Sequence, residues 1–193
     1  MSDREYEQLR PATVSIHGAG HSHSPGDPVV PPIVQSATFH WATPDDGELL
    51  YSRYGNNPNQ LQVSAKIAAL EGTEAAVALG SGMGATAMAF LALTEAGDHI
   101  VASSYLYGAT LSLLRDEMPR RGVPVTFVDP DEEGAFAAAI RPNTKLVHIE
   151  VPTNPSLRVF DPRPIADVAH GAGALLTCDA TFGSPVNFRA ADF

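Results

Sequence analysis

From Pro58 onward the chain alternates short apolar stretches with helix-length segments closed by glycine, and that alternation admits few folds. Apolar runs at 75–79, 99–102, 123–128, 145–149 and 174–178 have strand length. Between them, 59–70, about 82–94, 109–120, 132–140 and 164–170 have helical length, with Gly72 and Gly97 ending the first two. Leu61, Ala65, Ala68 and Leu70 fall near one face of the first helix. Strands alternating with helices in this way predict an α/β fold, a mostly parallel sheet with helices on both faces. The last strand, ALLTCD, is nearly all apolar, as an interior parallel strand should be, and only a short segment follows it. Such a strand needs neighbours on both sides, so the sheet is expected to be completed by residues outside this chain.

Residues 1–57 read differently. No period is sustained there, and Pro11, Pro25, Pro28, Pro31, Pro32 and Pro44 interrupt any helix or central strand that begins. The segment is predicted to be an extended amino-terminal arm that contacts a neighbouring subunit, its aromatics Phe39, Trp41, Tyr51 and Tyr54 favouring a docked state. Residues 58–193 form the α/β domain, incomplete at its carboxy terminus. Twenty-two acidic against 12 basic side chains give a formal charge of −10, which disfavours nucleic acid and anionic membrane as partners. The charged start lacks a signal peptide's apolar run, no stretch is long enough to span a membrane, and Cys178 stands alone, so a cytoplasmic location is expected.

Four segments carry candidate chemistry. GSGMGATAMAF sets small residues between a strand and a helix, so backbone N–H groups near Ser81, Gly82 and Met83 can converge on an anion; tight helix–strand packing is the other reading. It matches neither the dinucleotide fingerprint nor the P-loop, since Ala87 and Met88 stand where the latter has Lys and Ser or Thr. Asp179, in CDATFGSP, lies at the carboxyl end of a strand, where doubly wound sheets bind ligands, and it suits either a protonated ring nitrogen or a strand-end cap. In YSRYGNNP, Arg53 suits a phosphate or plain solvent, and Asn154 in VPTNPSLRVF suits a ligand or a turn.

In combination, VVPPIVQSATF, YSRYGNNP, LEGTEAAVALGSGMGA, GDHIVASSYLYGAT, HIEVPTNP and CDATFGSP resemble, in one colinear order, the amino-terminal half of the Cys/Met-metabolism pyridoxal-phosphate enzymes. The resemblance implies the large domain of a fold type I transferase-like protein with pyridoxal 5'-phosphate as cofactor. It implies that Gly82 and Met83 bind the cofactor phosphate together with Ser81, and that Tyr51 and Arg53 reach from the arm to the phosphate of a neighbouring subunit. Tyr107 would stack on the ring and move protons, Asp179 would keep the ring nitrogen protonated, Asn154 would bond the ring hydroxyl, and Thr181 would line the other face. Tyr107 and Asp179 are thus the catalytic candidates, and the substrates implied are sulfur amino acids or activated homoserine derivatives.

The family's Ser-x-Thr-Lys-like segment with the Schiff-base lysine is absent, as is the small carboxy-terminal domain with the arginine that grips the substrate carboxylate. Lys66 and Lys145 are the only lysines, and both read as solvent-facing charges. The favoured expectation is a split enzyme, an amino-terminal half joined in a higher oligomer by a separate chain that supplies lysine and arginine. A fragment of an ordinary trans-sulfuration enzyme and a non-catalytic cofactor-binding or regulatory subunit are the alternatives. Whether the reaction is β- or γ-elimination or γ-replacement is not legible, although Ala109 stands where methionine gamma-lyases characteristically have a cysteine, and Ala180 replaces a common Asn. His17, His21 and His23 lack partners of metal-site type, so no metal is expected. Cys178 is expected to face away from Asp179 as a small buried hydrophobe, Glu150 to make structural hydrogen bonds, and Asp161 to cap the helix that follows it.

Overall fold

A computed structural model of the chain describes residues 9–18, 25, 26, 28, 30–41, 43 and 47–193. The chain divides into two compact units, Met1–Ala78 and Leu79–Phe193.

In the first unit, α1 (Pro11–His17) is a helix where the prolines led us to expect none. Pro11 opens it at a position whose N–H needs no helical partner, so the proline starts the helix instead of breaking it. Helix α2 (Pro58–Glu71) begins with a capping box, in which the Asn57 side chain accepts from the Asn59 N–H and Gln60 reaches back to the Asn57 N–H. Asn57 and Asn59 also hold the segment before them, through the carbonyls of Val34, Ser36 and Pro32 and the Val34 N–H. Of the apolar face expected on α2, Ala68 is buried and Leu70 half-buried, but Leu61 and Ala65 are exposed. Lys66 is half-buried, and its Nζ donates to the Ile16 carbonyl at an exposed position, tying α2 to α1. The strand expected at 75–79 is absent. That stretch joins no ladder, the Ala78 N–H goes to the Ser64 hydroxyl instead, and Val77 is 81% exposed.

The second unit contains the sheet. Its elements run α3 (Gly82–Leu93), β1 (His99–Ser103), α4 (Gly108–Ser112), β2 (Val125–Val128), α5 (Ala135–Ala139), β3 (Thr144–Glu150), α6 (Arg163–Gly171), β4 (Leu175–Asp179) and α7 (Ser184–Asn187). All four strands are parallel, in the order β2-β1-β3-β4, as the alternation predicted. The long helix expected at 109–120 is instead α4 followed by a π turn at Leu113–Glu117 and a 3-10 turn at Pro119–Arg121, where Pro119 cannot continue the ladder. Arg163 N–H donates to the Asp161 carboxylate just ahead of α6, but the cap position is Pro162, with no side-chain cap bond, so Asp161 is not the helix cap expected.

The alternation of side chains along each strand makes two cores. Ile100, Ala102 and Leu146 face Phe90, Leu114 and Met118 on one side, while Val101, Val147 and Ile149 face Phe136, Ile165 and Ala169 on the other. Lys145 is exposed at the start of β3, and Cys178 is half-buried against the second core. Ile149→Val removes one methylene from a site with no solvent access, so it is expected to cost about 1 kcal/mol in a urea melt. Among the described residues no helix is long and apolar enough to cross a membrane.

Candidate active site

Parallel strands end on the same side of a sheet, and that end is where backbone groups are no longer consumed by the ladder. Glu150 is the last residue of β3 and Asp179 the last of β4, and the ladder pairs them directly. A cavity opens there, and Gly82, Met83, Tyr107, Asn154, Asp179 and Thr181 are in its wall. Six of the residues expected to hold the cofactor thus come together. Thr86, Glu150 and Phe182 complete the lining.

The first turn of α3 leaves backbone N–H donors that an anion could meet. Ser81 caps it, its hydroxyl accepting from the Gly84 N–H, and Ala85 N–H already bonds the Ser81 carbonyl. The N–H groups of Gly82 and Met83 are left as helix-end donors without an intrahelical acceptor. A Cβ built on Gly82 would meet nothing within 4 Å, so the approach is open. Ser81 itself supports the turn and is not in the cavity wall. The Met83 side chain is fixed from behind by the Thr110 hydroxyl, which points at its sulfur at 3.7 Å.

Two carboxylates, Asp179 and Glu150, share the lining. Asp179 receives the Thr181 N–H and hydroxyl, both on Oδ1, so its second oxygen is left for another donor. Glu150 accepts the Tyr107 N–H at Oε2 and the Asn154 N–H at Oε1, each at 2.6 Å. Burial pushes the Glu150 carboxyl above its ordinary range, the two amides pull it back, and the Asp179 charge adds to the rise. Among the described residues no lysine or arginine lines the cavity. Two adjacent carboxylates without a cation call for a ligand that brings positive charge to that end. Tyr107, at the cap position of α4, is 45% exposed and presents a ring to the same space. A phosphate-bearing, protonatable ring therefore fits the donor set.

An adjoining hollow shares Gly82, Thr86, Asp179 and Thr181 and includes His148. The Thr177 hydroxyl donates to the Val147 carbonyl at 3.3 Å, so it accepts from His148 Nδ1–H at 3.0 Å. That fixes the neutral tautomer and leaves Nε2 as a buried acceptor with no partner among the described residues. Burial lowers the His148 pKa to about 4.

Tyr51 and Arg53 belong to the first unit, where they form a pair of their own. The Arg53 guanidinium lies 4.7 Å from the Tyr51 ring centroid, and the Tyr54 ring meets Tyr51 edge-on. His21 and His23 lie outside the described residues, and among those residues no cluster of His, Cys, Asp and Glu could hold a metal ion. Glu150 is the lining residue that sequence reasoning undervalued. Its position at a strand end four residues before Asn154 was the available signal. Thr86 and Phe182 carried none.

The site can be set beside known proteins. Over 90% of its length the chain is 41% identical to L-methionine gamma-lyase of Porphyromonas gingivalis, covering 46% of that protein. Over 97% of its length it is 36% identical to canavanine gamma-lyase of Pseudomonas canavaninivorans, covering 48% of that enzyme. The crystal structure of metB from Corynebacterium glutamicum superposes with a TM-score of 0.85 at 36% identity, over 93% of this chain and 47% of that one. The chain spans about half the length of the curated relatives it matches. Residues 12–193 match the family described as Cys/Met metabolism PLP-dependent enzyme, and the chain belongs to that family.

Proposed function

We propose that this chain forms the amino-terminal half of a pyridoxal-phosphate site that acts on sulfur amino acids or activated homoserine derivatives, by β- or γ-elimination or γ-replacement. The observation that carries the reading is the polarity of one cavity, with helix-end N–H donors at Gly82 and Met83 and a carboxylate pair at Glu150 and Asp179. Pyridoxal phosphate, when bound, supplies an electron-accepting ring that lets an amino acid lose its α proton. Gly82 and Met83 hold the phosphate by their N–H groups, and Ser81 keeps the turn in shape. Asp179 keeps a proton on the ring nitrogen. Tyr107 covers one ring face and carries a hydroxyl able to exchange protons with substrate, Asn154 meets the ring hydroxyl, and Thr181 fixes the Asp179 carboxylate while lining the opposite side.

The reading assigns the covalent lysine and the arginine for the substrate carboxylate to a separate chain. Neither lysine of this chain lines the cavity, and Lys145 lies at the far end of β3, about 16 Å along the strand from Glu150. Strand β4 offers a seat for the partner, since among the described residues it has a neighbour on one side only and Leu175 is 46% exposed. Tyr51 and Arg53 reach the phosphate of a neighbouring copy in the assembled oligomer, a cytoplasmic assembly with small amino acids as its ligands.

The test is co-expression with a lysine-bearing carboxy-terminal half, followed by borohydride reduction and peptide mapping. The isolated chain is expected to bind pyridoxal phosphate reversibly, with the reduced adduct appearing only in the complex and only on the partner's lysine. Turnover of sulfur amino acids or homoserine esters should appear with it. An adduct on Lys66 or Lys145, or a complex indifferent to pyridoxal phosphate, would overturn the reading.

A further inference from the structure

We infer that Glu150 is the positioning residue of the cavity, holding Tyr107 and Asn154 at a fixed spacing through one bidentate carboxylate; its bearing on ligand rests on the cofactor reading above. The two walls come from separate connections. Tyr107 ends the segment that leaves β1, and Asn154 lies in the loop that leaves β3. Nothing in the ladder relates one to the other, because both lie beyond the strand ends. Glu150 bridges them, with Oε2 on the Tyr107 N–H and Oε1 on the Asn154 N–H. It is also the ladder partner of Asp179. One side chain thereby sets Tyr107 and Asn154 relative to Asp179.

The chemistry requires a carboxylate at this place. Both incoming groups are N–H donors, so both atoms of the side-chain fork must accept. A glutamine of the same length accepts at one atom and presents an NH2 to the other amide, donor against donor. An aspartate is one methylene shorter and cannot span both. A buried carboxylate is costly to keep, and two short charge-assisted bonds at 2.6 Å offset that cost here. The ionisable groups facing it are Asp179 on β4, His148 two residues earlier on β3 and the Tyr107 phenol.

Amide NMR on the full chain tests the bridge without cofactor. The Tyr107 and Asn154 amide protons are expected to lie downfield and to titrate together, with one midpoint above the ordinary glutamate value. Glu150→Gln should abolish that shared titration and move one of the two resonances upfield, with the α6 amides unmoved. Pyridoxal phosphate titration, read by ring absorbance, should then show affinity about tenfold weaker in Glu150→Gln and Glu150→Asp, measured below the urea midpoint of each variant. Amides that titrate apart, or affinity within twofold of the parent in both variants, would overturn the inference. A parent that binds no pyridoxal phosphate overturns the cofactor reading instead, and the shared amide titration still decides the role of Glu150.

Discussion

Asp179→Asn should weaken binding of pyridoxal phosphate by about 10- to 150-fold while leaving the fold in place. The Thr181 N–H and hydroxyl both bond Oδ1, which an asparagine oxygen can occupy equally well, so the side chain keeps its orientation. What changes is the other atom. There the carboxylate would give way to an NH2 group, which meets a protonated ring nitrogen donor to donor and brings no charge. A hydrogen bond to a charged group contributes about 1.5–3 kcal/mol net, and about 1.4 kcal/mol is a tenfold change in affinity. Two controls isolate the contact. Competition by inorganic phosphate, which engages only the Gly82 and Met83 end of the cavity, should be the same in parent and variant. A cofactor analogue with carbon in place of the ring nitrogen should bind both proteins alike. Affinity for pyridoxal phosphate within twofold of the parent would mean that Asp179 serves the loop and not the ring.

The parts of this site legible in the sequence were those whose chemistry is local. Asp179 is marked by its place after an apolar strand, and the α3 turn by its run of small residues, because strand ends and helix starts expose backbone groups regardless of what surrounds them. The parallel sheet followed from the alternation alone. Where local pattern failed, tertiary context had taken over. Apolar residues at 75–79 have strand composition, but a strand exists only where a neighbour accepts its hydrogen bonds, and among the described residues that stretch has none. Pro11 illustrates the opposite case, since a proline breaks a helix interior and suits a helix start, and sequence position alone does not distinguish them. Glu150 was legible as a hydrogen-bonding residue and illegible as a bridge, because Tyr107 and Asn154 are 47 residues apart and meet only through the crossover from β1 to β3. The bare Nε2 of His148 was invisible for the same reason.

That buried histidine also makes stability depend on pH in a way that can be computed in sign and measured. The His148 pKa is lowered from 6.5 to about 4, chiefly by burial, which the Asp179 charge and the Thr177 contact oppose. Between those values the unfolded chain binds a proton that the folded chain refuses, so stability is fully present above pH 6.5 and is lost as pH falls toward 4. Two and a half pH units at about 1.4 kcal/mol each come to about 3.5 kcal/mol, of which about 3 kcal/mol is lost by pH 4. His99, whose pKa is lowered by burial and by Arg141, acts with the same sign, whereas Glu150, raised by burial, acts with the opposite one, destabilising the fold as pH rises above its unfolded value. Both remain in a His148→Phe variant, so the difference between parent and variant isolates His148. Phenylalanine can keep the edge-on contact with Phe90, now 4.8 Å between centroids, and it carries no unpartnered acceptor into the core. The Thr177 hydroxyl retains the Val147 carbonyl as its acceptor. Urea melts followed by far-ultraviolet circular dichroism at pH 7.5, 6, 5 and 4 should therefore show the parent losing about 3 kcal/mol more than the variant across the series. Parallel curves would mean that His148 is protonated in the folded chain, with a carboxylate or carbonyl reaching its Nε2.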